Sequence, residues 1–180
     1  MPPRCVKILL TGSPGCGKTT AIMKIVSALD PREIAGFYTQ EIRRNGARKG
    51  FSWNRLDGAA GTLAHVDVRG CFKVGKYGVD VDGFERAVVP ILGAERTGAE
   101  LFIVDEIGKM ECLSEKFVGA VRRLFASDRS VLATVARKGT GLIREVKDYP
   151  SIRLFKLTHE NQPETIAEIL QIFSVLKRPS

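Results

Sequence analysis

The residues best suited to chemistry lie near the start of the chain. Gly12-Ser13-Pro14-Gly15-Cys16-Gly17-Lys18-Thr19 has the spacing G-x-x-x-x-G-K-S/T, after the apolar run CVKILL and before a helical pattern. Gly15 and Gly17 let the backbone wrap so that successive amide N–H groups face an anion. A helix opening at Lys18 adds the positive end of its dipole. Lys18 suits the β- and γ-phosphates of a nucleoside triphosphate, and the Thr19 hydroxyl suits Mg²⁺. The expected binding set is Gly12, Ser13, Pro14, Gly15, Cys16, Gly17, Lys18, Thr19 and Thr20. Cys16 reads as a small filler of the loop, although oxidation of its sulfur would crowd the cradle.

A second constellation is LFIVDEIGKME, residues 101–111. Four apolar residues announce an interior strand, and Asp105 emerges at its carboxyl end, where open α/β sheets hold ligands. Asp105 is the expected metal partner of Thr19, acting through a bound water. Glu106, one step further, can take a proton from a water in line with the γ-phosphate, which favours hydrolysis over other uses of the same loop. Asp105-Glu106-Ile107-Gly108 also fits the D-x-x-G of guanine-nucleotide switches, but no N-K-x-D or T-K-x-D follows to read the base. Charge developing on the γ-phosphate calls for a nearby cation. Arg137 and Lys109 are the first candidates and Lys138 the next, while Thr134 is expected to bond the water or a phosphate oxygen.

These groups must be positioned by alternating elements. CVKILLT reads as a strand, and KTTAIMKIVSALD as a helix with Ala21, Ile22, Ile25, Val26 and Leu29 on one face. IAGFYTQEIRR and KGFSWNRLDG flank Asn45-Gly46, a favoured tight-turn pair. With GTLAHVDV they predict an antiparallel β insertion over residues 34–75. Residues 80–100 show helical spacing interrupted by Pro90. ELFIVDE, SVLATVA and IRLFKLT read as core strands, SEKFVGAVRRLFA as a helix capped by Ser114, and PETIAEILQIFSVL as a closing helix. The pattern predicts one α/β domain over residues 1–180, with a mainly parallel sheet.

Composition narrows the classes further. Of 180 residues 44% are hydrophobic and 27% charged, the balance of an ordinary globular chain, and no apolar run approaches the ~20 residues of a membrane span. The four cysteines form no C-x-x-C pair, which disfavours a zinc site or disulfide frame. The chain is therefore expected to be cytoplasmic, with no membrane partner. The net charge of +8 suits an anionic partner. Nucleic acid stays open on charge alone, with no basic run of five and no aromatic RNA-binding signature to support it. Two other readings accompany hydrolysis: a small-molecule or nucleotide kinase, kept open by Arg137, Arg144 and Arg153, and a nucleotide-switched RNA-binding or regulatory module.

The chain resembles the small P-loop nucleoside-triphosphatases of thermophilic microbes and their vertebrate relative, the cancer-related nucleoside-triphosphatase. The resemblance runs through GSPGCGKTT, GFYTQEIR, RKGF, VGKYGVD, DEIGKME and ATVARKG, in order and across almost the whole chain. It implies a three-layer, RecA-like P-loop fold and Mg²⁺-dependent hydrolysis of ATP, GTP and other nucleoside triphosphates to diphosphate and phosphate, with little base selectivity. A monomer is expected. It also extends nucleotide binding to Leu101, Phe102, Ile103, Val104, Asp105, Glu106, Ile107 and Gly108. One departure is visible: the family's Glu-Asn-Arg reads Glu160-Asn161-Gln162 here. Tyr77 is a candidate for stacking on a base or for anchoring a turn, and Arg43 and Arg48 for closing over the phosphates from the hairpin.

Overall fold

Strands with uninterrupted apolar runs fold into the middle of a sheet, because both of their faces must be covered. β1 (Lys7–Thr11), β7 (Leu101–Ile107) and β8 (Ser130–Val135) behave in this way. The structure is a computed structural model, and it describes residues 5–30, 33–93 and 98–176. Among the described residues nine strands form one sheet in the order β5-β6-β4-β3-β2-β7-β8-β1-β9. The remaining strands are β2 (Ile34–Arg44), β3 (Ala47–Arg55), β4 (Ala60–His65), β5 (Lys73–Val74), β6 (Tyr77–Val79) and β9 (Arg153–Lys156).

The sheet divides into two halves. β2, β7, β8, β1 and β9 are joined by four parallel pairings, and β2, β3, β4, β6 and β5 by four antiparallel ones. The expected mainly parallel sheet is thus corrected to an evenly mixed one. The excess comes from β5 and β6, two short strands with too few residues to show a period. β2 belongs to both halves: Ile34–Phe37 pairs with Leu101–Val104 of β7, and the rest of the strand pairs only with β3. Asn45 and Gly46 turn the hairpin with φ of 50° and 74°, the left-handed pair that a two-residue turn needs.

Alternation along the central strands separates two apolar layers. Ile8, Leu10, Ile103 and Leu132 face α1 (Lys18–Ser27) and the closing helix, and pack with Ile22, Ile25, Ile169 and Phe173. Leu9, Phe102, Val104 and Val131 face the other way, toward α2 (Val81–Val88) and α3 (Glu115–Ala126), where Phe37, Phe84 and Phe117 meet edge to face or tilted. A short α4 (Leu142–Glu145) precedes β9, and α5 (Gln162–Leu176) closes the described chain. Ser114 caps α3 as expected, its Oγ accepting from the Phe117 N–H at 2.9 Å. The helical pattern predicted from residue 80 ends early. α2 stops at Val88 and gives way to a 3₁₀ turn, Val89–Leu92, because Pro90 has no N–H to continue the ladder; residues 94–97 lie outside the described residues.

Candidate active site

The glycine loop leaves β1 at Thr11 and enters α1 at Lys18, so its shape depends on backbone that only glycine adopts cheaply. Gly17 has φ of 90° and caps α1 with no side chain, so the first-turn N–H groups are free to meet an anion; no acid lies in that turn. At Gly12 the limit is space: a Cβ there would sit 2.5 Å from the Leu157 carbonyl oxygen and 2.6 Å from the Cys16 sulfur. Cys16 is buried beneath the loop, which supports its role as filler. Ser13, Pro14 and Gly15 are exposed at the crest, and Thr20 is exposed on the first turn of α1.

Asp105 arrives opposite this loop. It is 1% exposed, and each carboxylate oxygen has a hydroxyl donor. Thr19 Oγ1 donates to Oδ2 at 2.6 Å, and Thr134 Oγ1 donates to Oδ1 from the neighbouring strand. The Thr39 backbone N–H of β2 also donates to this carboxylate. Burial pushes the Asp105 carboxyl above the usual range, while these donors and the Lys18 charge oppose the shift. Glu106 is raised too, first by burial and then by the Asp105 charge, against the pull of Lys18. A carboxylate held above its ordinary value is a stronger proton acceptor, as a base for water requires.

Behind Glu106 lies a third acid that sequence spacing does not single out. Glu111 is 5% exposed and pushed up to about 8, by burial first and then by the Glu106 charge. Its Oε2 closes over Gly108, where an added Cβ would lie 2.8 Å from it and 3.6 Å from Glu106 Cδ. DEIGKME therefore folds back on itself so that both acids flank one glycine.

Of the candidate cations, Arg137 is the one brought to the loop: its Nη1 donates to Ser13 Oγ at 3.3 Å. Lys147 holds that segment, donating to the carbonyls of Ala136 and Arg137 at 2.7 and 3.0 Å. Lys109 and Lys138 are exposed. Thr134 bonds the carboxylate of Asp105, where water or phosphate was expected. Leu101, Phe102, Ile103 and Val104 are between 0% and 7% exposed inside the sheet, so they carry Asp105 into position and present no surface to a nucleotide. Ile107 and Gly108 are likewise buried. Arg43 and Arg48 do not close over the loop; both pair with Glu41 at 2.6 Å on the hairpin. Tyr77 packs edge-on against Phe51 at 5.4 Å, the turn-anchoring alternative. The departure at Gln162 has a structural place: its Nε2 donates to the Gly17 carbonyl at 3.2 Å, and its Oε1 accepts from Lys24 at 3.1 Å.

The donor set also bears on a metal. Among the described residues no group of three or more His, Cys, Asp or Glu side chains gathers to hold an ion. Thr19 Oγ1 with Asp105 Oδ2 forms a pair of hard oxygens at the mouth of the loop. A pair of that kind fits a magnesium ion that takes its other ligands from water and a triphosphate.

A family model described as NTPase matches residues 7–170. The nucleoside-triphosphatase THEP1 of Thermotoga petrophila is 40% identical over 167 residues, covering 93% of this chain and 92% of that protein. The human cancer-related nucleoside-triphosphatase is 34% identical over 179 residues, covering 91% and 94%. The crystal structure of THEP1 from Aquifex aeolicus superposes with a TM-score of 0.86 at 36% identity, covering 96% of this chain and all of the other. The shared architecture is an α/β fold with a large mixed sheet. The chain belongs to the NTPase family that includes the THEP1 proteins and the cancer-related nucleoside-triphosphatases.

Proposed function

We propose that this chain is a Mg²⁺-dependent nucleoside-triphosphatase that hydrolyses ATP, GTP and other nucleoside triphosphates to diphosphate and phosphate, on one P-loop domain of RecA-like, three-layer architecture. The observation that carries the reading is Asp105, gripped between Thr19 of the glycine loop and Thr134 of β8, with Glu106 next to it. Loop and acids thereby converge on one volume. Magnesium, when bound with the nucleotide between Thr19 and Asp105, would neutralise charge on the phosphate oxygens.

The chain's own groups divide the rest of the work. The loop amides and the start of α1 receive the phosphates, and Lys18 reaches the β- and γ-oxygens. Glu106 accepts a proton from water as the water oxygen bonds to the γ-phosphorus. The bond to the bridging oxygen breaks, and the diphosphate leaves with that electron pair. Arg137, poised on Ser13, supplies positive charge to the departing group. Broad base use accords with the lack of a base-reading motif in the sequence.

Kinase chemistry finds less support. Arg144 is engaged with Asp148 at 3.5 Å, and Arg153 lies exposed on the outer strand β9. We further propose a monomeric, cytoplasmic protein; among the described residues no helix is long and apolar enough to cross a membrane. The test is phosphate release from each of ATP, GTP, CTP and UTP with no acceptor present, with and without magnesium. Comparable release from all four, abolished by chelation, is expected. Release only when an acceptor is added would make the chain a kinase.

A further inference from the structure

The charge of this protein is not evenly spread. Residues 34–79, which run from β2 through β6, hold eight Lys or Arg against three Asp or Glu, a net of five out of the chain's eight. The register brings most of these cations to one end of the sheet, while Arg55 lies at the other, across from Phe37. Lys73, Gly78, His65, Gly50 and Ile42 lie in one row across β5, β6, β4, β3 and β2, a width of about 19 Å at ~4.8 Å per strand. Arg44 and Arg48 lie just beyond that row at the hairpin, Arg69 follows β4, and Lys76 sits in the β5–β6 turn. β2 is parallel to β7 and continues seven residues past the Phe37–Val104 pairing, so this end projects on the side of the glycine loop.

Arg44, Arg69, Lys73 and Lys76 are all exposed, and among the described residues none of them has an ion-pair partner. Folding also interleaves cations with rings in a way the linear order hides. The Arg48 guanidinium lies 5.5 Å from the Phe51 ring, Phe51 meets Tyr77 at 5.4 Å, and the Lys76 ammonium lies 5.4 Å from Tyr77. Phe72, beside Lys73, is 41% exposed.

We propose that this end of the sheet is a docking surface for single-stranded nucleic acid, with Arg44, Arg69, Lys73 and Lys76 meeting the phosphates and Phe72 offering a face on which a base stacks. Free cations across several strands match a polyanionic backbone, and rings set among cations are the combination that single strands use. An anionic bilayer would also draw on the charge, but it favours rings that stand free to insert, and Phe51 and Tyr77 are only partly exposed, each held under a cation. The surface is distinct from the nucleotide site, so the proposal holds or fails independently of hydrolysis.

The test is fluorescence anisotropy of a labelled oligouridylate or oligothymidylate about 16 nucleotides long. With those four phosphate contacts, affinity should fall roughly 50-fold between about 50 and about 200 mM salt. The quadruple change of Arg44, Arg69, Lys73 and Lys76 to Ser should remove most binding while leaving phosphate release from ATP unchanged. Arg44→Glu alone should weaken binding several-fold, should the quadruple variant fold poorly, and Phe72→Ala should weaken it without altering the salt slope. No binding at low salt, affinity indifferent to these changes, or capture by phosphatidylserine vesicles without capture of the oligonucleotide would each overturn the proposal.

Discussion

The two halves of the sheet handle charge in opposite ways. On the central strands of the parallel half the ionic groups are buried and fixed: Asp105 by three donors, and Lys7 by the carbonyls of Leu124, Ser127 and Arg129 at the end of α3. In the antiparallel half the cations stand in water or pair loosely, as Arg43 and Arg48 do with one half-exposed Glu41. A buried charge must be fully satisfied to be tolerated, so it specifies geometry, whereas exposed charges set a field and little else. The first half can hold a reacting group within a fraction of an ångström. The second can attract a large anion without dictating where each atom lies.

Substitutions should therefore have steep effects in one half and shallow effects in the other. Lys18→Ala should lower kcat/KM for ATP at least about 10³-fold in steady-state phosphate release, because in the proposed mechanism the cation serves the transferring group itself. Phe117→Ala, in the ring cluster beneath the hairpin's root, should cost about 3–5 kcal/mol in urea unfolding. Thr134→Val, which strips one donor from a buried carboxylate, should lower kcat about 10-fold with the fold intact. Arg43→Ala on the hairpin should shift stability by under about 0.5 kcal/mol and leave turnover alone, since its ion pair is largely exposed. A large loss of turnover from the Arg43 change, or none from Thr134→Val, would erase the contrast.

Acidity offers a sharper version of the same contrast. Glu111 is pushed from 4.5 up to about 8 in the folded chain, so between those values the folded protein binds more protons than the unfolded one. Stability from this group is fully present below the lower value and is lost as pH rises through the upper. The parent protein's thermal midpoint should fall between about pH 5 and 8, and Glu111→Gln should flatten that fall. Asp57 on the hairpin side has its carboxyl held low by Arg55 but is exposed, so Asp57→Asn should leave that pH profile nearly untouched.

How much of this was legible in the linear chain follows from the range of the interactions involved. The glycine loop and DEIGKME are local: spacing, strand and helix all fall within a dozen residues, and Asn45-Gly46 dictates its turn alone. Thr39 bonding Asp105, Gln162 bonding the Gly17 carbonyl, and Arg137 reaching Ser13 join segments 66 to 145 residues apart. No pattern within a window encodes such contacts, although the position of Arg137 just past a core strand pointed to it. Glu111 reads as one more acid among charged neighbours until the chain folds back over Gly108. β5 and β6 were invisible because two or three residues cannot display a period. The basic, ring-studded end of the sheet has the same origin: its cations are dispersed in sequence, and strand register collects them.

The proposed hydrolysis depends most directly on Glu106 as the acceptor of the water's proton. Single-turnover hydrolysis of radiolabelled ATP by Glu106→Gln, with nucleotide binding measured on the same sample, tests it. Binding within about threefold of the parent protein, with hydrolysis slowed at least about 100-fold, is the predicted result. Hydrolysis at the parent rate with binding intact would contradict it.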